Sequence, residues 1–116
     1  MKLWHDDIRI PPRGWVWALN NDAAKAALET LKVTDISMDH DLGGKPGMDH
    51  NVKWVGEETG YDLVNWMIEM GIYPHRINVH SWSASGGTRM HRALIAARHP
   101  TSCIITRVPY DPNTMV

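Results

Sequence analysis

The segment Asp35-Ile-Ser-Met-Asp-His-Asp-Leu42 decides how the rest of this 116-residue chain is read. Ile36 and Met38 alternate with Ser37, the two-residue period of a strand, and the run then ends in the charged burst Asp39, His40, Asp41. A buried strand that stops on reactive side chains is the unit from which open α/β sheets build their sites. Upstream, Asn20, Asn21 and Asp22 offer N-cap chemistry ahead of Ala24, Leu28 and Leu31, which share one face at helical spacing. Before that helix lie two short apolar runs, Lys2 to His5 and Trp15 to Leu19, separated by a loop with Pro11, Pro12 and Gly14. That loop is too short for a helical crossover, so the second strand is expected either antiparallel to the first or displaced to an edge.

Downstream, the Gly-rich stretch Gly43 to Glu58 has the length of a binding loop or lid. Thr59-Gly-Tyr-Asp62 forms a capping box with Asp in the acidic place, and Leu63, Met67 and Met70 follow at i, i+4 and i+7. Gly71 and Pro74 end this helix, and Arg76 to His80 reads as a strand that stops on His80 and Ser81. The small-residue turn Ser83 to Gly87 leads to Thr88 as a cap, with Met90, Ala93, Leu94 and Ala97 as the stripe of a third helix. Cys103 to Val108 is a final strand, followed by a loosely held tail from Pro109. The order strand, strand, helix, strand, helix, strand, helix, strand predicts one α/β domain over residues 1–116 with a mainly parallel sheet.

Composition excludes several classes. Twelve Lys+Arg against thirteen Asp+Glu leave a net charge of -1, with no diffuse attraction to duplex DNA or an anionic membrane. Cys103 is the single cysteine, no apolar run approaches the ~20 residues of a bilayer span, and the N-terminus turns acidic within six residues. The expectation is a cytoplasmic protein. Six Trp and no Phe assign most of the indoles to packing.

Three strands end in reactive residues: Asp6 and Asp7, then Asp39, His40 and Asp41, then His80 and Ser81. Four of the nine Asp fall at equivalent topological positions, and neighbouring strands would make them converge on one edge. Asp39 and Asp41 point the same way on an extended backbone, with His40 opposed. Crowded carboxylates call for a cation, which makes Asp6, Asp7 and Asp39 candidate ligands for Mg²⁺ or Mn²⁺. Such an ion would neutralise a phosphate and activate water. Without a metal, His40 and His80 can act as base and acid on a phosphodiester, with one carboxylate orienting each imidazole. The Ser81 hydroxyl and the backbone N–H of Gly86 are candidates for holding the phosphate, to which the resemblance described next adds Arg9 and Ser83. Taken singly, each has a plain structural explanation, a turn-forming Asp pair or a strand-end His; the argument rests on their joint placement.

The strings also carry a resemblance. Trp4, Asp6, Asp7, Arg9 and Pro11 resemble a W-x-D-D-x-R-x-P element, and Ile36 to Gly43 an I-S-L-D-H-D-L-G element. Thr59-Gly-Tyr-Asp62 with Trp66, and His80, Ser81, Gly86 and Met90, are similar to T-G-Y-D and H-S-x-N-x-x-G-x-x-x-M elements. All four belong to the cyclic-phosphate-processing receiver domains, a divergent branch of the response-regulator receiver fold. The resemblance implies a receiver-like (flavodoxin-like) three-layer sandwich with a five-stranded sheet of order 2-1-3-4-5, the first crossover helix being replaced by a loop. It also implies action on 2′,3′-cyclic RNA ends or cyclic nucleotides, in a prokaryotic or phage setting of RNA repair or defence. The alternative is a non-catalytic module that accepts phosphate on Asp39 or sequesters a cyclic nucleotide. Departures are His5 before the acidic pair, Met38 for Leu, Ser83 for Asn, and Arg107 where receivers carry Lys.

Overall fold

In the computed structural model, which describes residues 1–41 and 58–109, eight elements follow the expected order. They are β1 (Lys2–His5), β2 (Trp15–Ala18), α1 (Asn21–Thr30), β3 (Asp35–Met38), α2 (Gly60–Met70), β4 (Arg76–Val79), α3 (Ala84–Ala96) and β5 (Ile104–Thr106). The five strands form one parallel sheet of order β2-β1-β3-β4-β5. β2 does lie at the sheet edge, but as a parallel neighbour hydrogen-bonded directly to β1, the arrangement that the short connection was expected to exclude. An edge strand needs only one partner, so residues 6–14 can return along the strand without a helix. The expected Gly43–Glu58 loop and the tail beyond Pro109 lie outside the described residues except for Glu58.

Right-handed crossovers from β2 to β3, β3 to β4 and β4 to β5 all move the same way across the sheet, which stacks α1, α2 and α3 on one face. The burial pattern agrees. Leu3, Ile36 and Ile77 stand in register on β1, β3 and β4 and share one apolar cluster with Leu28, Leu63, Met67, Met90 and Leu94 from the helices. Each such side chain contributes roughly 1.5–3 kcal/mol on burial. The opposite face presents Trp4, Ser37 and Asn78 in register. Among the described residues the layer on that side contains no helix; the loop after β1 and the indoles of Trp4 and Trp15, edge to face at 6.0 Å, stand there instead.

Helix ends depart from the sequence reading in two places. Leu31 is the C-cap of α1 and is exposed, so the buried stripe is Asn21, Ala24 and Leu28. The N-cap of α3 is Ser83 rather than Thr88, because Ser83 Oγ accepts the Gly86 N–H and so lets the helix begin five residues earlier than a Thr88 cap would. Thr59 forms the expected capping box with Asp62, although Met70 is exposed at the end of α2. No helix among the described residues is long and apolar enough to cross a membrane.

Candidate functional site

The parallel ladder extends one residue past each central strand. Asp6 N–H donates to Ala18 O, Asp39 N–H to His5 O and His80 N–H to Met38 O. The three strand-end residues are thereby locked side by side, and ligand-type atoms of Asp6, Asp39 and His80 lie within 4.8 Å of one another. Gly60 is required here by close approach. Its N–H donates to His40 O, and a Cβ on Gly60 would collide with the carbonyl of Asp39.

A directed hydrogen-bond chain runs through the helix-free face to this edge. Val108 N–H (2.9 Å) and Thr106 Oγ1 (2.7 Å) both donate to Asn78 Oδ1, which fixes the orientation of the amide. Asn78 Nδ2 then donates to Ser37 Oγ at 3.2 Å, leaving the Ser37 hydroxyl proton for His80 Nδ1 at 2.7 Å. A neutral His80 ring is therefore the Nε2–H tautomer, and it donates to Asp6 Oδ2 at 2.9 Å. His80 has no exposed surface and stacks flat on Trp4, centroids 4.0 Å apart. The polar ends of two indoles hold the loop: Trp4 Nε1 donates to Arg9 O and Trp17 Nε1 to Asp6 O.

Both oxygens of Asp6 are engaged. Oδ1 accepts the N–H groups of Ile8 and Arg9, and Oδ2 accepts from His80 and from Arg9 Nη1 at 3.3 Å. Burial pushes the Asp6 carboxyl up, yet the hydrogen bonds from His80, Arg9 and Ile8 together outweigh it and bring it down to about 2. Asp39 moves the other way. Burial, and then the charge of Asp6, raise it above the usual carboxylate range, although Arg9 Nη1 stands 3.6 Å from its Oδ2. Burial also raises Asp7, whose Oδ1 is enclosed without a hydrogen-bond partner.

A cavity of about 260 Å³ opens above this layer, lined by Ile8, Arg9, Asp39, Asp41, Ser81, Trp82 and Ser83. Five of the sequence-predicted site residues thus share its wall: Arg9, Asp39, Asp41, Ser81 and Ser83. Asp6 and His80 support it from the layer beneath. Three others do not reach it. Asp7, in the loop after β1, is not among the lining residues, and the His40 ring packs on the Cα of Gly86 while its Nδ1 meets Asp41 Oδ1 at 2.7 Å. The Gly86 N–H is committed to Ser83 Oγ and is not offered to an anion.

Two contributors, Arg107 and His5, stood out in sequence only as departures from the family pattern, without a role. Arg107 donates to Ser81 O and Ser83 O, both at 3.1 Å, and lies against Gly87, where a Cβ would displace its guanidinium. Its place at the end of the last strand was visible in sequence, but its acceptors are backbone carbonyls that no motif marks. His5 is buried on the helix-covered face, where Nε2 meets Asn21 Oδ1 at 2.8 Å; the Asn21 amide in turn donates to Glu58 Oε2 and Thr59 O. Burial pushes His5 down to about 4. The strand alternation that pairs His5 with Leu3 could have placed it there.

As folded, these donors do not fit a divalent cation. His80 spends its Nε2 proton on Asp6, both Asp6 oxygens are taken, and the Arg9 guanidinium stands between Asp6 and Asp39 where a shared cation would sit. Asp7 contributes no atom to the convergent group.

Four motifs sit on the fold at its site edge: the acidic pair and Arg9 after β1, Asp39-His-Asp41 after β3, Gly60 at the start of α2, and His80-Ser81 after β4. Leu42 and Gly43 lie outside the described residues. No curated protein and no solved structure matches the chain. The family described as the cyclic-phosphate processing receiver domain matches residues 1–96, and with its sheet order and site motifs the chain belongs to that family.

Proposed function

We propose that this domain is a hydrolase that opens a cyclic phosphodiester, with Asp39 carrying the proton for the leaving oxygen. The observation behind this reading is a carboxyl held above its usual range at the wall of a cavity that also presents a guanidinium, Arg9, and a serine, Ser81. The phosphate lies against Arg9 and the Ser81 hydroxyl. Water forms the new O–P bond and gives its proton to Asp41, which His40 orients. The ring O–P bond breaks, and the departing sugar oxygen takes the proton of Asp39, leaving a phosphomonoester. His80 acts through Asp6: its Nε2–H holds the carboxylate that fixes the Arg9 backbone and side chain.

Phosphate acceptance on Asp39 is the weaker reading, because Arg107, at the place of the receiver lysine, is spent on two backbone carbonyls. The test is incubation with 2′,3′-cyclic nucleotides, 3′,5′-cyclic nucleotides and cyclic dinucleotides, with Mg²⁺, with Mn²⁺ and with chelator, read by ³¹P NMR. The expected result is a ring-opened monoester that persists in chelator and disappears in Asp39→Asn. Loss of product in chelator would overturn the metal-free arrangement. A shifted or broadened ligand signal without product would make the domain a binding module.

A further inference from the structure

Trp82 is 64% exposed, the most exposed of the described tryptophans, and it stands at the mouth of the cavity between two of its lining residues. Its backbone is pinned on both sides. Arg107 holds the carbonyls of Ser81 and Ser83, and the Ser83 N–H donates to Ser81 Oγ at 3.1 Å. An indole has only two side-chain torsions, so this turn presents a nearly preorganised flat surface to solvent. Ile8, 73% exposed, lines the same cavity, its N–H fixed by Asp6 Oδ1. The cavity itself, about 260 Å³, is below the ~300 Å³ at which sites for drug-sized ligands begin. It has room for a cyclic phosphate and its sugar, while a base attached to that sugar must lie at the rim.

We infer that Trp82 is a stacking platform for a nucleobase, with Ile8 a second apolar contact in the same cavity, so that the site selects nucleoside phosphates over base-free sugar phosphates. Trp82 occupies the unspecified position of the His-Ser element, so the family motif does not carry this. The inference rests on the functional reading above, in that the phosphate is taken to sit against Arg9 and Ser81.

The test uses ligands that cannot turn over. Adenosine 2′- and 3′-monophosphate, methyl riboside 2′- and 3′-monophosphate and inorganic phosphate are titrated by calorimetry into the wild type, Trp82→Ala and Trp82→Phe. Removal of one base–aromatic stack weakens nucleotide binding by about 5- to 150-fold. The base-free phosphates bind the wild type and Trp82→Ala alike, and Trp82→Phe keeps most of the nucleotide affinity. Equal losses for nucleotide and base-free ligand, or no loss for either, would overturn the platform while leaving the phosphate site standing. Failure of the wild type to bind any of these ligands would remove the phosphate site and the platform with it.

Discussion

The two faces of the sheet are made by the same strands one residue apart, and they are built on opposite rules. On the helix-covered face Leu3, Ile36 and Ile77 pack into a continuous apolar cluster, in which many neighbours share each contact. On the other face Trp4, Ser37 and Asn78 occupy the adjacent register, and Ser37 and Asn78 have assigned hydrogen-bond partners in a chain that ends on Asp6. Removing a methyl group from the first face leaves a void. A single partner removed from the second leaves a buried polar atom with nothing to bond. The first face supplies stability at any pH, and the second holds charge in place for a site.

The contrast is broken most directly by comparing His80→Ala with Met67→Ala in urea melts. Loss of one partner of a buried pair costs about 3–5 kcal/mol, and truncation of a core Met about 2–5 kcal/mol. Their pH dependences separate them. Because Asp6 is depressed from 3.8 to about 2, its contribution is present above pH 3.8 and lost as pH falls through about 2. The deficit of His80→Ala relative to wild type should therefore shrink over that window, while that of Met67→Ala stays flat.

His5 is the exception that sharpens the comparison, a titrating group on the apolar face. The unfolded chain takes up its proton at 6.5 and the folded protein only at about 4, so stability falls as pH drops through that window, by about 3 kcal/mol in all. Unfolding titrations should show this slope in the wild type and its absence in His5→Leu. Gly60→Ala tests the junction of the two regimes. It presses on the Asp39 carbonyl and should cost about 1–3 kcal/mol, measured as a lower Tm, with the Asp39 carbonyl shifted in a crystal structure. The smallest effect has the opposite sign. Burial disfavours Asp39 as a carboxylate in the fold, so Asp39→Asn should raise stability at pH 7 slightly while removing turnover. A lower Tm would show that the Arg9 ion pair outweighs burial.

Motif spacing brought Asp39, Asp41, Arg9, Ser81 and Ser83 to one cavity, with Asp6 in the layer beneath and Asp7 away from it, because strand ends in a parallel sheet share an edge whatever the loops do. It also gave His80 its place without its state. Whether an imidazole faces substrate or is enclosed depends on Trp4 stacked beneath it and Ser37 one strand away, neither adjacent to it in sequence. Gly86 read as an anion contact because Gly pairs before helices often expose N–H groups, but Ser83 caps the helix earlier and takes that donor.

The order of the elements, a mainly parallel sheet and the residues at the strand ends were legible in the sequence, since periodicity, caps and turn residues are local properties of the chain; the direction of β2 was not. The tertiary structure alone decided which of those groups meet the cavity, that Arg9 lies between Asp6 and Asp39, and that Arg107 braces the turn carrying Trp82. Those outcomes depend on contacts between segments as much as 74 residues apart, as in the His80–Asp6 pair. Their directions are set by the one arrangement that satisfies every buried donor and acceptor in the chain from Val108 to Asp6, and no local pattern encodes that.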